Sequence, residues 1–264
     1  MFTRFGLLLA GTWAIVACTP VGDAVDIKVS PNYYFGFLKR SIVFSYGGNC
    51  LGPGCTEVAG AEVATFRPLS ARYAADAHHV YYEARRLKDE DPRNFRALLG
   101  PYGVGKTQAY FQGEPFFVDV ASFHAVSYGK EPQLDHYARD DHQVYFRDQV
   151  ISRSPTTFVA LPQLNYFRDA EHVHFMSGGV HKVLSSEPSY FRFLQQSDGS
   201  DSIYALDRTY VYVFARALPL ADPATFHLLC ATAGSAYAAD QRHVYRFDQI
   251  VEGAAPDSFT PDCR

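Results

Sequence analysis

Tyr137-Ala138-Arg139-Asp140-Asp141-His142-Gln143-Val144-Tyr145-Phe146, followed by Val150-Ile151, Ser154-Pro155-Thr156-Thr157-Phe158 and Leu161, is the stretch whose reading decides the fold. Its features return in fixed register, and an internal repeat settles the architecture before any local reading does. A tyrosine stands seven residues before an apolar triplet at Tyr73, Tyr102, Tyr137, Tyr166, Tyr204 and Tyr237. Three residues after the tyrosine comes Asp76, Asp140, Asp169, Asp207 or Asp240, with Gly105 in the remaining copy. Proline precedes phenylalanine by three at Phe95, Phe158, Phe191, Phe226 and Phe259, while Phe66 and Phe123 keep the aromatic alone. The phenylalanine spacings are 29, 28, 35, 33, 35 and 33 residues.

Each part of the unit has a physical reading. An aspartate four residues before an apolar triplet is turn chemistry, its carboxylate accepting from backbone N–H groups two or three residues on. Triplets such as Val80-Tyr81-Tyr82, Val144-Tyr145-Phe146 and Val211-Tyr212-Val213 are β-branched and aromatic, and too short for a helix. A second apolar pair follows, such as Val150-Ile151 or Ile250-Val251. Asp91-Pro92, Ser154-Pro155 and Asp222-Pro223 then place a capping side chain before a proline and predict a single helical turn, stapled to the core by the phenylalanine. One such meander cannot bury its aromatic face alone. The expected fold is all-β: tandem β-hairpin or meander repeats, six to seven units stacked as a solenoid, with propeller-like closure as the alternative.

The N-terminus carries a different signal. Met1-Phe2-Thr3-Arg4 leads into an apolar run from Phe5 to Ala17 that is too short for a membrane span and fits a secretory signal peptide over residues 1–17. Ile15-Val16-Ala17-Cys18 resembles the lipobox of bacterial lipoproteins. That resemblance implies lipidation of Cys18 and a membrane anchor, and Thr19 after it implies outer-membrane sorting with the domain facing the periplasm or the exterior. Residues 18–32 then read as a tether, and 33–264 as a single repeat domain whose divergent first unit, 33–69, is an N-terminal cap. Without the signal peptide, 23 basic residues face 28 acidic ones, a net charge of −5. This sign argues against nucleic acid or anionic lipid as a partner, both of which call for a basic surface.

Four further cysteines, Cys50, Cys55, Cys230 and Cys263, allow three disulfide connectivities in an exported chain. Cys50 and Cys55 bracket Leu51-Gly52-Pro53-Gly54 and are expected to pair locally. Cys230 and Cys263 each lie four residues after a repeat phenylalanine, so they share a register position in adjacent units. A bridge between them needs the close spacing of a stack.

Strings of the form Tyr-Ala-x-Asp-x-x-His-Val-Tyr-Tyr, followed by Pro-x-x-Phe, resemble the DKNYY family of bacterial repeat proteins between Tyr73 and Phe259. In that resemblance Asp76, Asp140, Asp169, Asp207 and Asp240 take the turn, while Tyr81, Tyr82, Tyr145 and Tyr245 take the strand aromatics. Departures are Gly105, Ala109 and Asp119 in the second regular unit, and Arg246 where an aromatic is expected. The resemblance carries no activity, substrate or catalytic residue.

Three groups invite chemistry. Gly100-Pro101-Tyr102-Gly103-Val104-Gly105-Lys106-Thr107 fits the phosphate-loop pattern, but that motif needs a helix after Thr107 and a strand is expected there. His78, His79, His142, His172, His174 and His243 gather before or within the triplets. They are expected as turn residues, with a ladder on one edge through His79, His142, His172 and His243 as the alternative, and with no metal site. Asp140-Asp141 with His136 and His142 looks like an acid/base group, yet Asp140 only fills the shared turn position. The reading is a non-catalytic, cofactor-free module presenting a binding or scaffolding surface to a protein or glycan. Its rivals are an envelope enzyme using the segments Gln112 to Glu114 or Gln195 to Ser202, and nucleotide binding at Lys106.

Overall fold

The computed structural model describes residues 22–48, 55–128, 136–161, 165–177, 180–185, 187–232 and 235–263. Cys18, Cys50 and the expected signal peptide lie outside these residues. The described residues form seven small antiparallel sheets, and the chain divides into two compact units, Met1–Phe116 and Phe117–Arg264. The first unit holds a three-stranded sheet, Tyr33–Phe35, Ile42–Ser45 and Cys55–Glu57, and two four-stranded sheets. The second holds four four-stranded sheets. Within every sheet the strands lie in chain order, so each is an up-and-down meander.

The sheet around the opening stretch shows the plan: His124–Val126, Tyr137–Arg139, Val144–Phe146 and Gln149–Ser152. Tyr137 pairs with Phe146 and Arg139 with Val144, leaving a four-residue turn closed by Asp140 N to the Gln143 carbonyl at 3.0 Å. The same closure recurs at Asp76, Gly105, Asp169, Asp207 and Asp240, between 2.9 and 3.1 Å. The expected helical turn before each sheet is a single hydrogen-bonded turn, as in Asn94 N to the Asp91 carbonyl at 3.0 Å. It stops there because the phenylalanine that follows turns inward and the chain re-enters a strand.

Those phenylalanines lie between successive sheets. Phe66 packs on Tyr33 and Tyr81, Phe95 on Tyr73 and Tyr110, Phe191 on Tyr166 and Tyr212, and Phe226 on Tyr204 and Tyr245. Ring centroids are 5.2–6.2 Å apart in these pairs, the separation at which tilted and edge-to-face aromatics attract. The repeat tyrosines then reach across with their hydroxyls. Tyr33 Oη lies 2.5 Å from the Arg72 carbonyl and 3.1 Å from that of Glu83. Tyr73 Oη donates to the Pro101 carbonyl and accepts from Gly113 N. In the second unit Tyr204 Oη meets the carbonyls of Ala236 and Phe247, and Tyr166 Oη accepts from Ala215 N. Each latch grips the next sheet where its central hairpin begins and ends.

Cys230 and Cys263 come to disulfide distance, with Cα atoms 6.4 Å apart, which places equivalent positions of adjacent repeats side by side as stacking requires. Cys55 opens a strand and its expected partner Cys50 is outside the described residues. The chain departs from the expected tether at its start. From Gly22 it runs along the edge of the first sheet, Val25 N bonding to the Tyr33 carbonyl and Gly22 N to that of Phe35. Ser30 is fully buried there and donates to the Ala71 carbonyl. A strand edge left bare would expose unpaired backbone, and this segment covers it.

The latches predict a specific cost. Tyr204→Phe removes the hydroxyl that meets the Ala236 and Phe247 carbonyls, while Ala236 keeps its bond from Phe247 N, so it should lower stability by about 1 kcal/mol. Tyr210→Phe, at a side chain that is 47% exposed, should change it by less than about 0.5 kcal/mol. Urea unfolding of the two variants beside the parent chain checks both.

Candidate functional site

The five turn aspartates are almost completely buried, between 1 and 6% exposed. In each, Oδ1 accepts two backbone N–H groups of its own turn, as Asp140 does from His142 and Gln143 at 2.8 and 2.7 Å. The second oxygen ties two other segments together. In Asp76, Asp140, Asp207 and Asp240 it accepts from the tyrosine five residues on, Tyr81, Tyr145, Tyr212 or Tyr245, at 2.7–3.0 Å. It also accepts from the turn that precedes the sheet: Glu62 N, Asp119 N and Asp222 N donate to Asp76, Asp140 and Asp240. For Asp169 and Asp207 a serine stands between. Ser152 and Ser185 hydroxyls donate to the carboxylate and accept from Ser154 N and Glu187 N.

The copy without an aspartate solves the same problem with other atoms. Glu90, from the preceding turn, accepts from Tyr110 Oη at 2.7 Å. A Cβ at position 105 would come within 2.3 Å of the Glu90 carboxylate, so glycine there makes room for the displaced charge. Tyr102 and Ala109 are fully buried and the sheet is complete. Arg246, the other departure, lies over the Tyr237 ring at 5.8 Å.

These carboxylates are structural acceptors. Burial works to raise each of them, but the donated hydrogen bonds outweigh it: Asp76, Asp140, Asp207 and Asp240 fall below the ordinary value of 3.8, and Asp169 is lowered to about 2. The partner tyrosines Tyr81, Tyr145, Tyr212 and Tyr245 are raised, first by burial and then by the carboxylate they donate to. No proton is held loosely between them.

One sheet differs. Along Val173–Ser177 the tyrosine position is His174, 1% exposed, with Nε2 3.0 Å from Asp169 Oδ2. Its Nδ1 lies 2.9 Å from Nε2 of His181, in the neighbouring strand Val180–Ser185. Asp169, His172 and His174 also offer ligand atoms within 4.8 Å of one another. Burial lowers the pKa of both His174 and His181. The sequence pattern points to His172 and His174, but His181 falls outside the repeat register and only the strand pairing brings it in.

The remaining sequence candidates do not converge. The phosphate-loop lookalike is a β-hairpin, Tyr102–Val104 turning into Ala109–Phe111, with no helix after Thr107 to orient N–H groups at an anion. His142 Nε2 is 4.0 Å from Asp119, and Asp140 is spent on its turn. The segment from Gln112 to Glu114 is a tight turn with φ of 53° and 76° at Gln112 and Gly113. Gln195 to Ser202 is a hairpin end closed by Gln196 N to the Ser200 carbonyl.

Two surface features stand out. An open polar cleft of about 640 Å³ in the first unit is lined by Tyr46, Arg72, Tyr82, Glu83, Arg85 and Gln112. Tyr46 Oη donates to Glu83 at 2.6 Å and Arg72 to Tyr82 at 3.1 Å, so its polar groups pair with one another. The second feature is the hairpin tip that follows five of the six triplets. Glu83, Gln112, Arg147, Phe214 and Phe247 occupy that one position, all with φ between 43° and 61°. Phe214 is 57% exposed and stacks on Phe247 at 6.3 Å beside an Arg216–Asp248 ion pair.

The family profile of the DKNYY family matches residues 39–178, more than half of the chain. Searches of curated proteins and of solved structures find no match.

The lowered aspartates set the pH dependence. Their folded pKa values lie below the unfolded ones, so the stabilisation is complete above about pH 4 and is lost as pH falls through the folded values, toward about 2 for Asp169. Asp207→Asn should lose about 1–3 kcal/mol at pH 7. The gap from the parent should close as pH falls below 3.8 and through the lowered value of the Asp207 carboxyl, beyond which the parent is itself protonated. Urea midpoints across that range measure it, and a gap independent of pH would show that the charge contributes nothing.

Proposed function

This chain belongs to the DKNYY family, and from that premise we propose that it is a non-catalytic recognition module held to the bacterial cell envelope by lipid on Cys18. The observation that carries this reading is the contrast between a constant interior and a varied rim. The turn carboxylates, the tyrosines that serve them and the phenylalanine wedges are buried and repeat from sheet to sheet. At the tip position, by contrast, one backbone geometry carries an acid, an amide, a base and two phenylalanines in Glu83, Gln112, Arg147, Phe214 and Phe247. A repeat scaffold that holds its backbone and varies its tips is built for contact rather than turnover.

Aromatic tips bury much area at little conformational cost, so Phe214 and Phe247 are the strongest anchors for a protein or glycan partner. The lipid anchor rests on Ile15-Val16-Ala17-Cys18, and the exported state on the apolar run before it and on the Cys230–Cys263 bridge. Among the described residues no helix is long and apolar enough to cross a membrane, so attachment in this reading falls to the lipid. The net charge of −5 after signal removal disfavours nucleic acid.

Crosslinking in intact envelopes followed by recovery of the chain tests the proposal. One partner should come down in near-stoichiometric amount, be lost from the Cys18→Ala chain, and be lost from Phe214→Ser with an unchanged thermal midpoint. Recovery of background proteins alone would defeat the recognition reading, and an unchanged yield from Phe214→Ser would remove the tip from it.

A further inference from the structure

Four sheets place tyrosine against the turn aspartate, and a tyrosine has a single polar atom to give. His174 has two. Its Nε2 takes over the bond to Asp169 at 3.0 Å, and its Nδ1 is left facing away from the turn. There it meets Nε2 of His181 at 2.9 Å, the two rings lying 5.2 Å apart and 25° from parallel. His181 pairs across the hairpin with Met176, so it reaches His174 along the diagonal of the same sheet face.

This is the arrangement of a metal-binding histidine. A ligating imidazole commonly gives its other nitrogen to a carboxylate, which fixes the tautomer and the ring plane. Asp169 does that for His174 and is itself fixed by Glu171 N, His172 N and Ser152 Oγ. The Nδ1 lone pair is thereby directed at His181. Tetrahedral zinc, with Zn–N bonds of about 2.0–2.1 Å, needs its nitrogens about 3.3 Å apart. The present 2.9 Å therefore has to open by roughly 0.4 Å. The buried His174 cannot give that movement, but His181 is half-buried and can. His172 adds a third imidazole, its ring 6.0 Å from that of His174.

We propose that His174 and His181 form the core of a site for a divalent transition-metal ion of the zinc type, with Asp169 positioning His174 and His172 within reach as a further ligand. Imidazole donors favour Zn²⁺, Cu²⁺ and Ni²⁺ over Mg²⁺ or Ca²⁺. The site lies within a single sheet of the second unit, so it stands independently of any partner at the hairpin tips.

The test uses the full chain in detergent, without a histidine tag, stripped by a chelator and titrated with Zn²⁺ alone in a calorimeter. One equivalent should bind with a dissociation constant in the micromolar range or tighter and raise the thermal midpoint. His181→Ala should weaken binding at least tenfold. His174→Tyr, which restores the residue found at this position in five other sheets, should abolish it while keeping the metal-free midpoint of the parent. His79→Ala, at the turn of another sheet, should bind as the parent does. Absence of saturable binding, or binding that survives both His181→Ala and His174→Tyr, would overturn the proposal.

Discussion

A carboxylate taken out of water must be surrounded by donors, and this constraint fixes the geometry around Asp76, Asp140, Asp169, Asp207 and Asp240. Two donors come from the turn itself, so the turn can have only one shape. A third comes from a side chain five residues on, which requires the following strand to leave the turn in one register. The fourth comes from the preceding single turn, directly or through a serine, and this anchors the entry to the sheet. One buried charge thus sets the entry, the central hairpin and the strand phase of its repeat. Where the aspartate is missing, Glu90 supplies the charge from outside the hairpin, and Gly105 is the accommodation it needs.

The hairpins were legible because their determinants are local. A tyrosine at a fixed distance from an apolar triplet, with aspartate between, is a short-range pattern in which turn chemistry and strand propensity agree, and such agreement survives folding unaltered. The phenylalanine wedge was legible for the same reason, and so was the Cys230–Cys263 pairing, since residues at one register position of adjacent repeats are brought together by stacking. The helical turn stays a single turn because too few residues separate proline from the inward-facing phenylalanine. The relay through Ser152 and Ser185 could not be read from the pattern, because an ordinary serine before a proline or glutamate already has a capping explanation. His181 was hidden more deeply. Its strand is longer than its equivalents, and it meets His174 only because Met176 pairs with His181 across the hairpin.

Between sheets, the design divides labour between apolar and polar contacts. The phenylalanine wedge contributes area and is tolerant of small displacements. The tyrosine latch is directional, gripping a carbonyl at the start of the next hairpin and another at its end, so it sets where that hairpin sits along the stack. Neither contact involves the tip beyond its backbone. Position 83 and its equivalents can therefore exchange glutamate, glutamine, arginine and phenylalanine without disturbing the latch, because the latch reads backbone groups and not the tip side chain.

The same separation explains why chemistry, where it arises, should arise at His174. A repeat of this kind offers many titratable groups at regular spacing, but regularity is a poor source of reactivity. Each carboxylate is held ionised by a full set of donors and each tyrosine is held protonated by burial and the carboxylate, so neither can exchange a proton near neutral pH. A substitution that broke the node would unfold the sheet. One that preserved the bond to aspartate and added a second polar atom would leave the sheet intact and place a new group in the stack. Histidine satisfies that condition: it donates from Nε2 as tyrosine donates from Oη, and its remaining nitrogen is oriented by a bond the fold already requires. The buried aspartate that stabilises the other sheets becomes, in this one, the group that aims a ligand.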